Sequence, residues 1–165
     1  MRIRGGAMIR RAAAFAAATA VVVSMGACGV KAHASKSYTF NVDTGDAIKV
    51  TLDVTGGYDI TGKVPFEVTK DGEEVFEGSF LHEEGYELYR EQIDGDDTAE
   101  ILNEGERNGN DFIFWQEAVD DATEHNYVVK VKDSSTVVLL EGNATEDAAK
   151  AAFDRLSISL DGESE

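Results

Sequence analysis

From Tyr38 onward, apolar and polar residues alternate over several short stretches, as they do in half-buried strands. Tyr38-Thr39-Phe40-Asn41-Val42 is the first. Asp43 to Asp46 reads as a turn, and Ile48, Val50, Leu52 and Val54 then alternate with Lys49, Thr51 and Asp53. The pair predicts a hairpin, closed off by Gly56-Gly57. Val64, Phe66 and Val68 alternate again beside Pro65, the only proline. Proline has no N–H for a ladder, so this strand starts there or lies at an edge. Asp71-Gly72 favours a tight turn into a partner strand from Val75 to Leu81.

The period then changes. Tyr86, Tyr89 and Ile93 fall at i, i+3 and i+7, which predicts a short helix. Asp94 to Asp97 interrupts it, and Thr98 to Glu106 reads as one or two further helical turns. After a turn at Asn108-Gly109-Asn110, Phe112 to Trp115 is apolar at every position, as in a strand covered on both faces. His125 to Lys132 and Thr136 to Glu141 form a strand pair around Asp133-Ser134-Ser135. A helix follows, capped by Asn143 or Thr145, with Ala148, Ala149, Ala152, Phe153 and Leu156 on its apolar face. Ser157 to Leu160 reads as a last strand. Strands, a helical insertion, more strands and a helix predict an α+β domain, a mostly antiparallel sheet with a C-terminal helix and a short helical insertion packed on it. An all-β sandwich with a terminal helix is the alternative.

Charge divides the chain sharply. The 165 residues carry a net −17, but Met1 to Ala27 hold four arginines and no acid. The rest therefore carries −21. That surplus argues against nucleic acid as a partner, since little is there to neutralise phosphates. It argues equally against electrostatic docking of the whole domain on anionic lipid, and it favours a soluble monomer. The single cysteine excludes an internal disulfide.

The basic leader precedes Ala12 to Val23, an uncharged apolar run. That is the length of an export-signal core and short of a membrane span, unless the uncharged stretch is extended to Val30. Arg10-Arg11 fits twin-arginine export poorly, so the general secretory route is expected. Met25-Gly26-Ala27-Cys28 then sets the cysteine behind two small residues. This resembles the lipobox of bacterial lipoproteins, with Met25 where leucine is usual. The resemblance implies a diacylglycerol on the Cys28 sulfur, cleavage before Cys28, and an exported chain anchored to the outer face of the cytoplasmic membrane. A rival site at Ala32-His33-Ala34, with cleavage before Ser35, would release a soluble protein.

These readings divide the chain into a signal peptide (1–27), a lipidated tether (28–37), one α+β domain (38–160) and an acidic tail (161–165). The outline of the body resembles the PsbP/Mog1-like fold. Phe112 to Trp115, Tyr127 to Lys132 and Gly142 to Ser159 resemble uncharacterised small lipoproteins of Gram-positive bacteria. That resemblance implies a cell-surface protein and no catalytic motif.

Candidate chemistry is sparse. His82 and His125 are the histidines beyond the tether, and no Gly-x-Ser-x-Gly or Cys-x-x-Cys accompanies them. His82-Glu83-Glu84 lacks the second histidine of a zinc protease helix. Asp94, Asp96 and Asp97 are the best calcium candidates, although the spacing is not that of an EF-hand. Asp120, Asp121 and Glu124 form a second acidic loop. Trp115 and Tyr127 are the aromatics picked to line a ligand pocket. The expectation is a non-catalytic binding or interaction module of the cell envelope, without a cofactor. The alternative is a small-ligand or calcium-binding accessory protein for a transporter or envelope enzyme.

Overall fold

The computed structural model describes residues 17–22 and 34–162. The alternating stretch after Tyr38 forms the expected hairpin, β2 (Ser35–Asn41) and β3 (Ala47–Asp53), in antiparallel register with Tyr38 opposite Val50. Phe40, Ile48, Val50 and Leu52 point to one side and are fully buried. Ser35, Lys36 and Ser37 already pair with Asp53, Leu52 and Thr51, so the stretch read as tether ends at Ala34. On the free side of β2 lies β1 (Ala17–Val22), within the segment read as an export signal. The chain's last strand, β11 (Leu156–Leu160), pairs on the other side of β3 and completes a four-stranded sheet.

The other strands form a second sheet of seven, antiparallel throughout. In spatial order these are β4 (Tyr58–Ile60), β5 (Phe66–Lys70), β6 (Glu73–His82), β10 (Thr136–Glu141), β9 (Ala122–Lys130), β8 (Asn110–Val119) and β7 (Ala99–Arg107). β5 starts at the residue after Pro65, where a backbone donor is first available. Asp71-Gly72 and Asn108-Gly109 both have positive φ at each position, the geometry of the tight turns that suit twisted hairpins.

The domain is α+β and mostly antiparallel, but its strands divide into two sheets where one was expected. A second correction concerns 98–106. This stretch is not helical; it is the edge strand β7, paired to β8 with a bulge between Ile101 and Asn103. Glu100, Asn103, Glu104 and Glu106 line it and are exposed, which discourages pairing with another chain.

The main core lies between the sheets. Phe40, Phe66 and Phe80 meet there with ring centroids 5.1–5.7 Å apart. Helix α2 (Glu146–Phe153) closes this core with Ala149, Ala152 and Phe153, and Thr145 caps it by accepting the Ala148 N–H. A smaller cluster covers the opposite face of the large sheet. There, α1 (Glu84–Asp94) sets Tyr86, Tyr89 and Ile93 against Ile113, Trp115, Val128, Val137 and Leu139. The apolar run at 112–115 is therefore buried from both sides, Phe114 by the main core and Ile113 and Trp115 by α1.

Two polar clasps join the sheets. Asn110, buried at the start of β8, donates to the Ile158 carbonyl of β11 at 2.7 Å and accepts the Lys132 N–H at 2.9 Å. At the β2–β3 turn, Asp46 accepts from the Thr136 hydroxyl and the Ser135 N–H, both at 2.8 Å.

Truncating Asn110 to alanine leaves a buried carbonyl and a backbone donor unpaired. The expected loss is roughly 1–3 kcal/mol in urea unfolding. Gly78 packs flat beneath the Phe66 ring, and a Cβ there would overlap it. Gly78→Ala is expected to cost roughly 1–3 kcal/mol by overpacking, read as a lower urea midpoint with an unchanged slope.

Candidate functional site

The sites expected from sequence do not come together. Trp115 is 1% exposed and packs under α1, its ring 5.7 Å from Tyr89. Tyr127 is 3% exposed and faces the main core, on the other side of the same sheet. It is stacked between Phe114 at 4.3 Å and Phe153 at 3.9 Å, with Phe76 edge-on at 5.9 Å. The two aromatics line no common pocket. The void beside Trp115 measures about 10 Å³, at the lower limit for one water. Gln92 Oε1 is buried in α1 with no hydrogen-bond partner.

Asp94 ends α1, and Asp96 folds its carboxylate back on Thr98. It accepts the Thr98 N–H at 2.8 Å and hydroxyl at 2.7 Å, which holds the Asp96 carboxyl below its ordinary value. Asp97 is exposed. Among the described residues no three histidine, cysteine or acidic side chains converge on a point where a cation would sit. Cys28 lies outside the described residues.

His82 and His125 stand at opposite ends of β10. His82 pairs with Thr136 at its start, and the His125 N–H donates to Gly142 beyond its end. The His125 ring is buried, with Nδ1 2.8 Å from the Ala144 carbonyl. It therefore fastens the segment leading into α2.

A wider recess lies elsewhere, a groove of about 410 Å³ between α1 and the β7–β8 ribbon. Tyr86, Glu87 and Arg90 line it from the helix, and Glu104, Gly105, Asp111 and Phe112 from the strands. Arg90 is one turn beyond Tyr86 and is bound by the Glu104 carboxylate at 2.7 Å. That bond, with one to the Tyr86 phenol, pushes the Arg90 guanidinium further toward its charged form. Burial raises the Tyr86 phenol above its usual value, and the Arg90 bond partly offsets the rise. The groove thus presents one fixed cation among three carboxylates, with donors suited to a hydrogen-bonding ligand. Sequence reasoning missed it because Glu104 was read as helical. The i, i+4 spacing of Tyr86 and Arg90 was the visible half of the signal.

Fold and groove together define a two-sheet α+β domain with a shallow polar recess. No protein-family model, curated protein or solved structure matches the chain.

Tyr127 makes the packing testable by pH. Burial, the largest cause, and the nearby Asp154 carboxylate push its phenol well above the usual tyrosine range. The unfolded chain then releases this proton first, near pH 10. Stability is complete below that value and falls as pH rises further. Urea midpoints should decline above about pH 10, and Tyr127→Phe should flatten the decline.

Proposed function

We propose that the protein is a membrane-anchored extracytoplasmic lipoprotein whose folded domain serves as a non-catalytic binding or interaction module of the cell envelope. The observation that carries this reading is the order at the N-terminus: four arginines, an apolar run, then Met25-Gly26-Ala27-Cys28. Two acyl chains on Cys28 hold a protein at a bilayer without help from its surface, since each buried methylene adds about 0.8 kcal/mol. The body supports the reading in two ways. Its core is complete without a disulfide, and the chain meets the fold at Ala34, only six residues beyond Cys28. Removal of Met1 to Ala27 takes β1 away and leaves β2 as the sheet edge. The finer placement of the C-terminal helix, as a cover that closes the sheet of an envelope module, belongs to the same proposal.

Intact-mass spectrometry of the protein from membranes of an expressing bacterium tests this. The expected mass is that of a chain starting at Cys28 plus acyl chains, lost in Cys28→Ala. A chain starting at Ser35, unaltered by the substitution, would replace the anchored reading with a secreted one.

The groove under α1 favours a second reading, an accessory protein for a small ligand. In that case Arg90→Ala leaves stability nearly unchanged, within about 1 kcal/mol for an exposed ion pair. It abolishes the ligand-dependent rise in Tm expected of the intact protein against a panel of small neutral hydrogen-bonding ligands such as sugars. A panel without any shift in the intact protein would remove this reading.

A further inference from the structure

Among the described residues, four strands end the two sheets once the segment before Cys28 is removed: β4 and β7 in the large sheet, β2 and β11 in the small one. An open edge invites a strand from another chain, and folded proteins guard against it. Three of these edges are guarded. β4 is only three residues long. β7 carries a bulge and the exposed Glu100, Glu104 and Glu106. The central carbonyl of β11, that of Ile158, accepts from Asn110.

β2 has none of these devices. It is seven residues long, contains no proline, and pairs with β3 along its whole length without a bulge. Ser35, Ser37, Thr39 and Asn41 occupy the face opposite the buried Phe40, and all four are uncharged. Lys36, its one charged residue, is turned to the other sheet, where Asp59 holds it at 2.8 Å. Successive residues of an antiparallel strand turn their N–H and C=O groups to opposite sides. Half of the β2 groups are therefore bonded to β3, and the other half point outward.

In the full chain those outward groups already face a strand. β1 lies antiparallel along β2, with Ala17 opposite Asn41, Ala18 opposite Phe40, Val21 opposite Tyr38 and Val22 opposite Ser37. Its sequence is Ala-Ala-Thr-Ala-Val-Val, uncharged and made of small and β-branched residues. The edge thus accepts a strand, and the proposed cleavage takes that strand away.

We infer that the vacated β2 edge docks an extended segment of a partner protein, which adds to the small sheet as an antiparallel strand. The segment has the chemistry of β1, short, uncharged, small and β-branched. Backbone groups supply the affinity in this mode of recognition. A second copy of this chain is the poorer occupant, because each carries −21 from Cys28 onward and like charges repel. The inference rests on the proposed removal of the N-terminal segment, by cleavage before either Cys28 or Ser35, and adds to it a binding surface.

A full chain with a specific protease site inserted after Ala27 is folded, cut, and freed of the N-terminal fragment. Hydrogen exchange, read by peptide mass spectrometry, then follows residues 35–41, with the β8–β9 ladder as the control for an intact fold. Cutting should speed exchange of the outward β2 amides about tenfold and leave β8–β9 unchanged. A synthetic peptide of residues 10–23 should restore the protection on titration. The same residues in shuffled order should also restore it, since the ladder is made by the backbone. Ala17→Pro/Ala18→Pro/Val21→Pro/Val22→Pro in the peptide removes the donors at the paired positions and should abolish binding.

Unchanged β2 exchange after cutting, or no effect of either unsubstituted peptide, would overturn the inference. Protection by the native order alone would reserve the edge for the protein's own N-terminal segment. Protection that rises with protein concentration beside a dimer mass would assign it to a second copy. Loss of β8–β9 protection on cutting would make β1 part of the fold. Each of these three results also overturns the partner site. Cleavage itself is read separately, by the intact mass of protein from membranes. A chain that keeps residues 17–22 there removes the premise, whereas a cut chain whose edge ignores both peptides removes the docking site and leaves the anchor.

Discussion

The double-sided apolar segment of β8 governs how this molecule is built. A strand with Phe112 and Phe114 on one face and Ile113 and Trp115 on the other is stable in water only if both faces are covered. The four-stranded sheet and α2 cover one side, and α1 covers the other. The helical insertion between β6 and β7 is thus a structural requirement, the lid over Trp115. Tyr86, one of the residues that make the lid, also lines the polar groove beside Glu87 and Arg90, so the placing of α1 over β8 sets one wall of the recess.

The two layers are held by different kinds of interaction. Between the sheets, aromatic packing dominates, with Tyr127 stacked between Phe114 and Phe153 and the Phe40–Phe66–Phe80 group beside it. At the rims, single polar side chains from one sheet satisfy backbone groups of the other, as Asn110 does for Ile158. Dispersion and burial supply most of the adhesion without direction, and the clasps supply direction. The acids are confined largely to exposed positions, where water screens them, which is how a chain so negative still closes around an uncharged centre.

The hairpins β2–β3 and β5–β6 were legible because alternation and turn residues agree there. Asp71-Gly72 set between two alternating runs permits little else. Tyr86, Tyr89 and Ile93 were legible as a helical stripe for the same reason, a period that matches one geometry only. Three features were not legible. Tyr58–Ile60 is too short for a pattern, and its pairing with β5 makes it a strand. Residues 99–107 carry no clean alternation because the bulge between Ile101 and Asn103 interrupts the period, with Ile101 packed on the α1 cluster and Leu102 on the main core; the ladder to β8 decides their conformation. Trp115 and Tyr127 were picked to line a ligand pocket as aromatics, without a face assigned to either. An even spacing within one strand would have placed them together, but adjacent strands carry them to opposite faces.

The sequence by itself determined the periods, the turns, which residues are apolar enough to be buried, and the contrast between a basic N-terminal segment and an acidic body. Those are local properties, readable from a few neighbouring residues. The tertiary structure decided which strand joins which sheet, which face each buried aromatic occupies and where the groove opens. Those depend on contacts between residues far apart in the chain, such as Arg155 with Asp53 or Asn110 with Ile158. No local pattern encodes such contacts, because their energy exists only once both partners have been brought together by the burial of the core.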